Sequence, residues 1–504
     1  LYANEDDTRG RIVMSCMTPI TEGARFSVAA ENASMFRDSV VENLMLNHPH
    51  DCPVCEEGGE CHLQDMTVLV GHRDRRYKGL KTTFKNQYLG PFIGHEMNRC
   101  ITCYRCVRYY QDYAGGEDLA AFASRDRVFF GRAEPGILEN EFSGNLVEVC
   151  PTGVFTDKTL SKHYTRKWDL QSAPTICQAC SAGCNTYTSE RYGEIRRVHN
   201  RYHSEVNGYF LCDRGRFGAQ HVNSNNRIPQ AGRRNAIGTY DRLMLDTALE
   251  EIKNLVAQGS IAGIGSPRAS LEANAALREL VGAENYCNGM SQLDQTMHQV
   301  ICDVLASQLN SPTIREIEDC DAILILGEDL TNHAPRLALS VRQAARNKGI
   351  DESGGVGIAQ WHDAAVRELT QADRSPIIIA TPMADRLDDV ANSIHRLSPG
   401  NIAAFAAAIT SSLVEGSNNS DSNISSGAAL AADLLRGAKK PLIISGTSLQ
   451  NLGVLQAAAN LAIALTSQNA DTQILLCSNE SNSIGVAMMD NQNTIEQVLN
   501  GQPK

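Results

Sequence analysis

Beyond about residue 225, the chain alternates short apolar runs with segments of helical character. Continuous apolar runs of strand length stand at 261–265, 322–326, 377–379, 442–444 and 474–476. Turns containing glycine or serine follow them, and then the helical segments. Strands that are apolar at every position are typical of a parallel sheet covered by helices on both faces. The pattern predicts an α/β domain over residues 226–504, with a Ser/Asn-rich loop at 415–428.

The hydrophobic pattern of the first 168 residues is weaker and often interrupted. Residues 31–47 predict a helix that ends before Pro49, because proline disfavours helical geometry in the residue preceding it. Its apolar face consists of Phe36, Val40, Val41, Leu44 and Met45. Residues 127–142 predict a hairpin that turns through Glu134-Pro135-Gly136. Residues 62–99 have no strong period and are interpreted as a connection.

Composition excludes several classes of protein. The formal charge is −12 and the pI is near 5.6, which gives no general electrostatic case for binding nucleic acid. No run of 18 apolar residues occurs, so the sequence predicts no membrane span. Twelve of the 16 cysteines lie between Cys16 and Cys212, mostly in closely spaced groups. Such groups are typical of metal ligands in a reducing compartment and not of a disulfide scaffold.

The most specific pattern, which we call the second motif, comprises Cys100, Cys103, Cys106 and Cys150. Three cysteines at intervals of three, with a distant cysteine followed by Pro151, are typical of a 4Fe–4S cluster. A single zinc ion prefers its cysteines as two separated pairs. We therefore predict a 4Fe–4S cluster on these four cysteines.

The first motif lies directly after the predicted helix and contains Cys52, Cys55 and Cys61. Three cysteines need a fourth ligand, and two histidines are close by. Imidazole also ligates iron. We predict His48 as the ligand of this 4Fe–4S cluster and place His50 in its surroundings or on the surface. Zinc held by the same three cysteines and one histidine is the alternative.

The third motif consists of Cys177, Cys180, Cys184 and Cys212, which again supplies four thiolates. A 4Fe–4S cluster is predicted, and a structural zinc ribbon is the alternative. Cys16 is a lone cysteine in a strand-like run, which by itself predicts a small core residue. Gly263-x-Gly265 begins a dinucleotide-binding fingerprint, but Arg268 stands where its third glycine should be. We therefore do not expect nicotinamide dinucleotide binding by this chain.

Several stretches together resemble one protein family. They are His48-x3-Cys52-x2-Cys55-x5-Cys61, Met97-Asn98-Arg99-Cys100 through Arg108-Tyr109-Tyr110, Glu148-Val149-Cys150-Pro151-Thr152-Gly153 and Gly265-Ser266-Pro267-Arg268-Ala269-Ser270. They resemble the large iron–sulfur subunit of respiratory complex I, the bacterial NADH–quinone oxidoreductase. Arg99, Arg105 and Arg108 surround the second motif, and we assign them no ligand role.

The resemblance implies a fold class of α+β iron–sulfur cluster domains followed by an α/β molybdopterin-oxidoreductase-like domain. The parallel sheet of that domain would be incomplete at the C-terminus and its metal cofactor absent. The implied domains are a 2Fe–2S remnant over 1–30, 4Fe–4S domains over 31–70, 71–168 and 169–225, and the α/β domain over 226–504.

The resemblance also implies the function. Electrons would come from NADH through flavin on a partner subunit, pass through three 4Fe–4S clusters and leave towards quinone, coupled in the complex to ion translocation. Implied partners are the flavin- and NADH-binding subunit, a small 2Fe–2S subunit, and connecting and membrane-arm subunits. The implied location is peripheral, on the cytoplasmic side of the bacterial inner membrane. No catalytic residue or substrate site is expected on this chain.

Two departures from the family lead us to expect a fragment of a longer protein. The family's 2Fe–2S domain has four cysteines, and only Cys16 is present. Family members are also longer at the C-terminus. Cys16 would then be a 2Fe–2S ligand only in the intact protein.

The main alternative is a molybdenum- or tungsten-dependent formate dehydrogenase large subunit. Such an enzyme needs a cysteine or selenocysteine metal ligand beside a proton-handling group in the α/β half. The cysteines available there are Cys287, Cys302, Cys320 and Cys477. None of them has a histidine or arginine beside it in the sequence that could handle protons. An iron-only hydrogenase lacks its expected cysteine motifs here, and a structural zinc scaffold is a third possibility.

Overall fold

The computed structural model describes residues 2–3, 10–15, 17–259, 261–415, 423–489 and 493–501. The chain divides into two compact units, Leu1–Gln171 and Ser172–Lys504. Residues 416–422 of the predicted loop at 415–428 lie outside the described residues, as does Cys16. The rest of that prediction is wrong, because 415 ends one helix and 423–428 begin the next. No helix within the described ranges is long and apolar enough to cross a membrane.

Unit 1 has little regular structure. Its helices are α1 (Glu31–Leu44), α2 (His62–Leu69), α3 (Arg105–Val107), α4 (Leu146–Val149) and α5 (Lys158–Ser161). Its strands are β1 (Tyr2–Ala3), β2 (Arg25–Phe26), β3 (Ile93–His95), β4 (Ala120–Phe122), β5 (Phe129–Gly131) and β6 (Phe155–Asp157). They pair antiparallel as β1–β2, β3–β6 and β4–β5. Loops therefore carry most of the cysteines of this unit.

The helix predicted over 31–47 is confirmed as α1, although it ends at Leu44. Its predicted apolar face is only partly covered. Val41 and Met45 are buried against Cys61 and Leu63, whereas Phe36 and Val40 remain about 40% exposed.

The hairpin predicted over 127–142 is wrong. Phe129–Gly131 pairs with Ala120–Phe122, which precedes it in the chain. The segment after the predicted turn hydrogen-bonds elsewhere, since Gly136 N donates to Tyr88 O and Leu138 N donates to Leu89 O. A turn signal fixes where the chain bends, and these distant partners decide what the next segment pairs with.

Unit 2 begins with a three-stranded sheet and ends in an α/β domain. Its further strands are β7 (Gln171–Ile176), β8 (Asn185–Arg191), β9 (Glu194–Asn200), β10 (Gly232–Arg234), β11 (Tyr240–Arg242), β12 (Gly263–Ile264), β13 (Tyr286–Cys287), β14 (Ala322–Leu326), β15 (Ile377–Thr381), β16 (Ser393–Arg396), β17 (Pro441–Gly446) and β18 (Gln473–Cys477). Its helices are α6 (Asp213–Phe217), α7 (Leu245–Gln258), α8 (Leu271–Val281), α9 (Gln292–Ala306), α10 (Leu330–His333), α11 (Pro335–Ala344), α12 (Asn347–Gly355), α13 (Asp363–Thr370), α14 (Pro399–Glu415), α15 (Asn423–Gly437), α16 (Leu452–Thr466), α17 (Ser483–Ala487) and α18 (Ile495–Leu499).

The predicted parallel sheet is confirmed, with strand order β16-β15-β14-β17-β18. Alternate residues of its strands point to opposite faces. Leu324 and Ile378 pack with the helices α14 to α16, whereas Ile323 and Ile377 pack with α10 and α11. Burial on both faces explains why the central strands are apolar at every position. Among the described residues, the run at 261–265 does not join this sheet, because β12 forms a separate two-stranded sheet with β13.

The order of the strands reverses between β14 and β17. Successive connections run outward from β14 to β15 and β16, and the chain then returns to β17 on the other side. At such a point the loops after the two central strands diverge and leave a crevice at the carboxyl edge of the sheet. Glu328 follows β14 at this edge.

Candidate metal centres

The second motif gathers its four cysteines around one cavity. Cys100 follows a turn of 3-10 helix at Met97–Arg99, Cys106 lies in α3, and Cys150 directly follows α4. All four cysteines line one small cavity, together with apolar side chains such as Phe130. The four donors predicted from the sequence are thus brought together in unit 1.

The loop of this motif has an unusual backbone. Thr102 and Tyr104 adopt left-handed conformations, with φ of 57° and 61°. Residues other than glycine rarely adopt this conformation, and such outliers cluster at functional sites. Here they flank Cys103 on both sides and turn three closely spaced thiols towards a common centre.

Three thiols of this cavity, those of Cys100, Cys103 and Cys106, have raised pKa values when no metal is bound. Burial is the main cause and raises the pKa of Cys100 to about 11, with a further contribution from the neighbouring Cys150 and Cys103. Burial raises the pKa of Cys106 still further. Thiolates are the ligand form, so binding a cluster must supply positive charge and release protons.

The first motif is built at the two helix termini. His48 lies four residues beyond the end of α1, and Cys61 caps the N-terminus of α2. Between them, Val54 N and Cys55 N both donate to Asp51 O, which makes a tight turn around Cys52. Cys55 and Cys61 are buried, and Cys52 is half-buried.

The two histidines differ in their surroundings. His48 is buried, and its Nδ1 has no hydrogen-bond partner. Burial lowers the pKa of His48 to about 4, against opposing effects from Asp51 and the Arg99 backbone, so the imidazole is neutral at pH 7. His50 is exposed and stacks on His72, with their ring centroids 5.9 Å apart. A neutral ring with a buried, unpartnered nitrogen is what a metal ligand requires.

The first and second motifs meet at the loop 150–153. Sγ of Cys61 lies 3.7 Å from the carbonyl oxygen of Pro151. A Cβ on Gly153 would overlap Sγ of Cys55 and lie 3.2 Å from Cδ of Arg99. The loop that supplies Cys150 to the second motif therefore also touches two cysteines of the first.

Cations from distant segments hold the acidic loop of the first motif. Lys167 is buried and lies 2.9 Å from both Glu57 and Glu60. Arg166 donates from Nη1 to Cys55 O at 2.6 Å. Neither residue was singled out in the sequence. The available signal was the concentration of carboxylates at 51–60, because buried carboxylates require positive partners.

The third motif lies in unit 2, between β7 and α6. Cys177 N donates to Cys184 O at 2.8 Å, and Gly215 N donates to Sγ of Cys212 at 3.4 Å. Burial raises the pKa of Cys212 to about 12 and that of Cys184 well above its usual range, and the neighbouring thiols add to both shifts. The thiols influence one another's pKa because the fold places the four predicted donors close together, as in the second motif.

The third motif is anchored on the α/β domain. Arg214 donates to Asn332 O and His333 O at 2.8 and 2.9 Å. Arg336 is buried, pairs with Glu318 at 3.0 Å and donates to Asn207 O. These bonds fix the motif against α10 and α11 on one face of the parallel sheet.

The α/β domain carries four further cysteines, of which Cys477 lies near Cys180 of the third motif. Cys287, Cys320 and Cys477 are buried, and Cys302 is half-buried on α9. Within the described residues, no three His, Cys, Asp or Glu side chains converge as ligands of one metal ion do. A 4Fe–4S cluster makes a different demand, because each of its irons takes its own protein ligand.

Three family models match regions that contain the three motifs. "NADH-ubiquinone oxidoreductase-G iron-sulfur binding region" matches residues 37–76. "NADH-quinone oxidoreductase subunit 3, ferredoxin-like domain" matches residues 90–156. "Molybdopterin oxidoreductase Fe4S4 domain" matches residues 170–224.

Similar proteins match the chain over nearly its whole length. The NADH-quinone oxidoreductase G subunit of Pseudomonas fluorescens is 51% identical over 99% of this chain, and that of Escherichia coli (strain K12) is 50% identical over 97%. The chain belongs to the family of NADH-quinone oxidoreductase G subunits. It spans 56% and 54% of the length of these two relatives.

Family membership confirms part of the expected fold and cofactor content. Iron–sulfur domains, including a ferredoxin-like one, are followed by a molybdopterin-oxidoreductase Fe4S4 domain and a parallel sheet. Iron–sulfur binding is therefore a property of this chain. Among solved structures, acetylene hydratase from Pelobacter acetylenicus aligns with a TM-score of 0.38 and 13% identity, over 58% of this chain and 43% of its own. That likeness is too low to carry an argument.

Proposed function

We propose that the chain relays electrons through three 4Fe–4S clusters as part of NADH:quinone oxidoreductase. The first cluster would be held by His48, Cys52, Cys55 and Cys61. The second would be held by Cys100, Cys103, Cys106 and Cys150, and the third by Cys177, Cys180, Cys184 and Cys212. When bound, the clusters supply reversible one-electron chemistry, and the chain's own residues hold them and set their potentials.

The contact between the first and second motifs is the observation that carries this proposal. Sγ of Cys61 contacts the carbonyl oxygen of Pro151, and Sγ of Cys55 occupies the space that a Cβ on residue 153 would need. Two metal centres built on one shared loop suit passage of an electron from one to the other. A structural zinc scaffold has no need for such a junction.

The buried, unpartnered Nδ1 of His48 supports the assignment of the first cluster. No catalytic residue is assigned, because the redox centres are the chemistry. Electrons would enter from NADH through flavin on a partner subunit, with a small 2Fe–2S subunit nearby. They would leave through connecting subunits towards quinone in the membrane arm, where ion translocation is coupled. The chain would lie peripherally on the cytoplasmic side of the bacterial inner membrane.

The decisive experiment is metal and sulfide analysis of the protein purified without oxygen, combined with EPR spectroscopy. We expect about four irons and four acid-labile sulfides per motif, together with 4Fe–4S signals on reduction. Replacement of both Cys103 and Cys106 by serine should remove only the second cluster, and Cys302→Ser serves as the control outside the motifs. Stoichiometric zinc without acid-labile sulfide would refute the proposal.

A further inference from the structure

We propose that Arg99 is a positioning residue for the first cluster, although in the sequence it belongs to the second motif. The inference rests on the proposed function, because it concerns how the chain holds one of the proposed clusters. Arg99 directly precedes Cys100, and its side chain turns away from that cysteine towards the loop 51–56.

The guanidinium of Arg99 is buried and fully engaged. Its side chain is only 9% exposed. Nε and Nη2 donate to Oδ2 of Asp51 at 3.0 and 2.8 Å, and Nη1 donates to Oε2 of Glu56 at 3.2 Å and to Gly153 O at 3.3 Å. Asp51 and Glu56 adjoin Cys52 and Cys55. One planar group thus fixes the residues beside two predicted ligands.

The backbone of Arg99 is held by the second motif. Its carbonyl oxygen accepts a hydrogen bond from Oγ1 of Thr152 at 2.9 Å, and the same Oγ1 lies 3.7 Å from Sγ of Cys150. Arg99 therefore connects two loops. Its side chain binds the loop 51–56, which precedes it by about 50 positions, and its main chain binds the loop 150–153, which follows it by about 50 positions. Substitution of the Arg99 side chain should therefore alter the stability and reduction potential of the first cluster.

The positive charge of Arg99 also lies beside Cys55. Atoms from both residues approach the same point, where a Cβ on Gly153 would be placed. A nearby cation favours the more negative, reduced state of a cluster and raises its reduction potential. The loop itself carries the four carboxylates Asp51, Glu56, Glu57 and Glu60, and the latter two pair with Lys167. Loss of Arg99 would leave two of these carboxylates uncompensated.

Charge and hydrogen-bond geometry can be separated by substitution. Arg99→Gln removes the charge and the fork, whereas Arg99→Lys keeps the charge and loses the bidentate geometry. Arg108→Gln is the matched control, because Arg108 is an exposed arginine two residues beyond Cys106 of the second motif. The measurements are redox-titrated EPR and iron content of the anaerobically purified protein, with the first cluster identified by the signal that His48→Ala alters.

We expect Arg99→Gln to lower the potential of the first cluster, so that its reduced-to-oxidised ratio at fixed potential falls about tenfold. This corresponds to about 59 mV for a one-electron couple. The second cluster should keep its potential. Arg99→Lys should restore the potential of the first cluster, and Arg108→Gln should change neither cluster.

If Arg99→Gln loses iron, selective loss of the first signal with the second intact supports the positioning role. Equal loss of both signals, or a larger shift at the second cluster, would overturn it, as would an unchanged first potential in Arg99→Gln. The proposed function fails separately, if the unmodified protein takes up no 4Fe–4S cluster at all.

Discussion

At the residue scale, His48 is the side chain on which the proposed first cluster would depend most. It is buried with an unpartnered Nδ1, whereas His50 is exposed and stacked on His72. We expect His48→Cys to retain a 4Fe–4S cluster at a lower potential, because thiolate adds negative charge where imidazole is neutral. His48→Ala should make one iron labile, and His50→Ala should do neither.

Redox-titrated EPR on the three histidine variants checks this prediction. The ligand assignment fails if His50→Ala loses the cluster while His48→Ala leaves its midpoint unchanged. His50→Ala is also the matched control, since it removes the same side chain two positions along.

Gly153 is required for steric reasons. Any Cβ at this position would overlap Sγ of Cys55 and press on Arg99. Gly153→Ala should therefore displace Cys55. The protein should then lose up to about four irons, the content of one cluster, together with the EPR signal of the first motif. Gly400→Ala is the control, because no atom lies within 4 Å of the added Cβ. Full iron content in Gly153→Ala would show that the loop 150–153 can move aside.

At the element scale, α1 and α2 illustrate how regular structure positions ligands. The sequence predicts α1 from its apolar period, and the helix brings His48 to its C-terminal side. Cys61 is the N-cap residue of α2, although its side chain makes no capping hydrogen bond and burial raises the pKa of its thiol. The segment 52–60 between them is a loop, so its conformation depends on Arg99, Arg166 and Lys167.

The carboxyl end of β14 carries a buried acid. Burial raises the pKa of Glu328 to about 7, although Ser448 donates to it from both N and Oγ. The other charged or titratable groups facing it are Asp329, His333 at 3.9 Å and Cys477. The folded protein thus holds this carboxyl protonated at pH values where the unfolded chain ionises it.

This shift in the pKa of Glu328 makes stability pH-dependent. The contribution is fully present below pH 4.5 and is lost as the pH rises to about 7, on the order of 3 kcal/mol for a shift of this size. The free energy of unfolding of Glu328→Gln should therefore rise relative to that of the unmodified protein as the pH increases from 4.5 to 7. Above pH 7 the difference between the two proteins should stay constant. Thermal unfolding across pH measures it, with His333→Gln as the control. Parallel pH profiles for Glu328→Gln and the unmodified protein would contradict the prediction.

At the scale of the whole molecule, the α/β domain raises the question of a pterin-bound metal. Cys477 ends β18 and lines a cleft of about 320 Å³ that is partly open to solvent. It is nevertheless buried in the core of the sheet, and burial raises its pKa well above the usual range. Within the described residues, Cys477 does not converge with two further His, Cys, Asp or Glu side chains as ligands of one metal ion do.

We therefore expect no molybdenum or tungsten above background and no formate oxidation. Elemental analysis of the purified protein, with iron as the internal reference, checks this expectation. Stoichiometric molybdenum that disappears in Cys477→Ser would favour the formate dehydrogenase alternative.

The sequence by itself predicted the proposed ligand sets and determined the parallel sheet. Ligand spacing is local, so Cys100, Cys103 and Cys106 are recognisable without a fold, and buried parallel strands are apolar at every position. The tertiary structure decided the rest. It paired Phe129–Gly131 with an earlier strand and turned Arg99 towards the first motif. It also brought Lys167 onto Glu57, 110 positions away in the chain. These contacts depend on how distant segments pack, and no local pattern of residues encodes which buried charge will meet which.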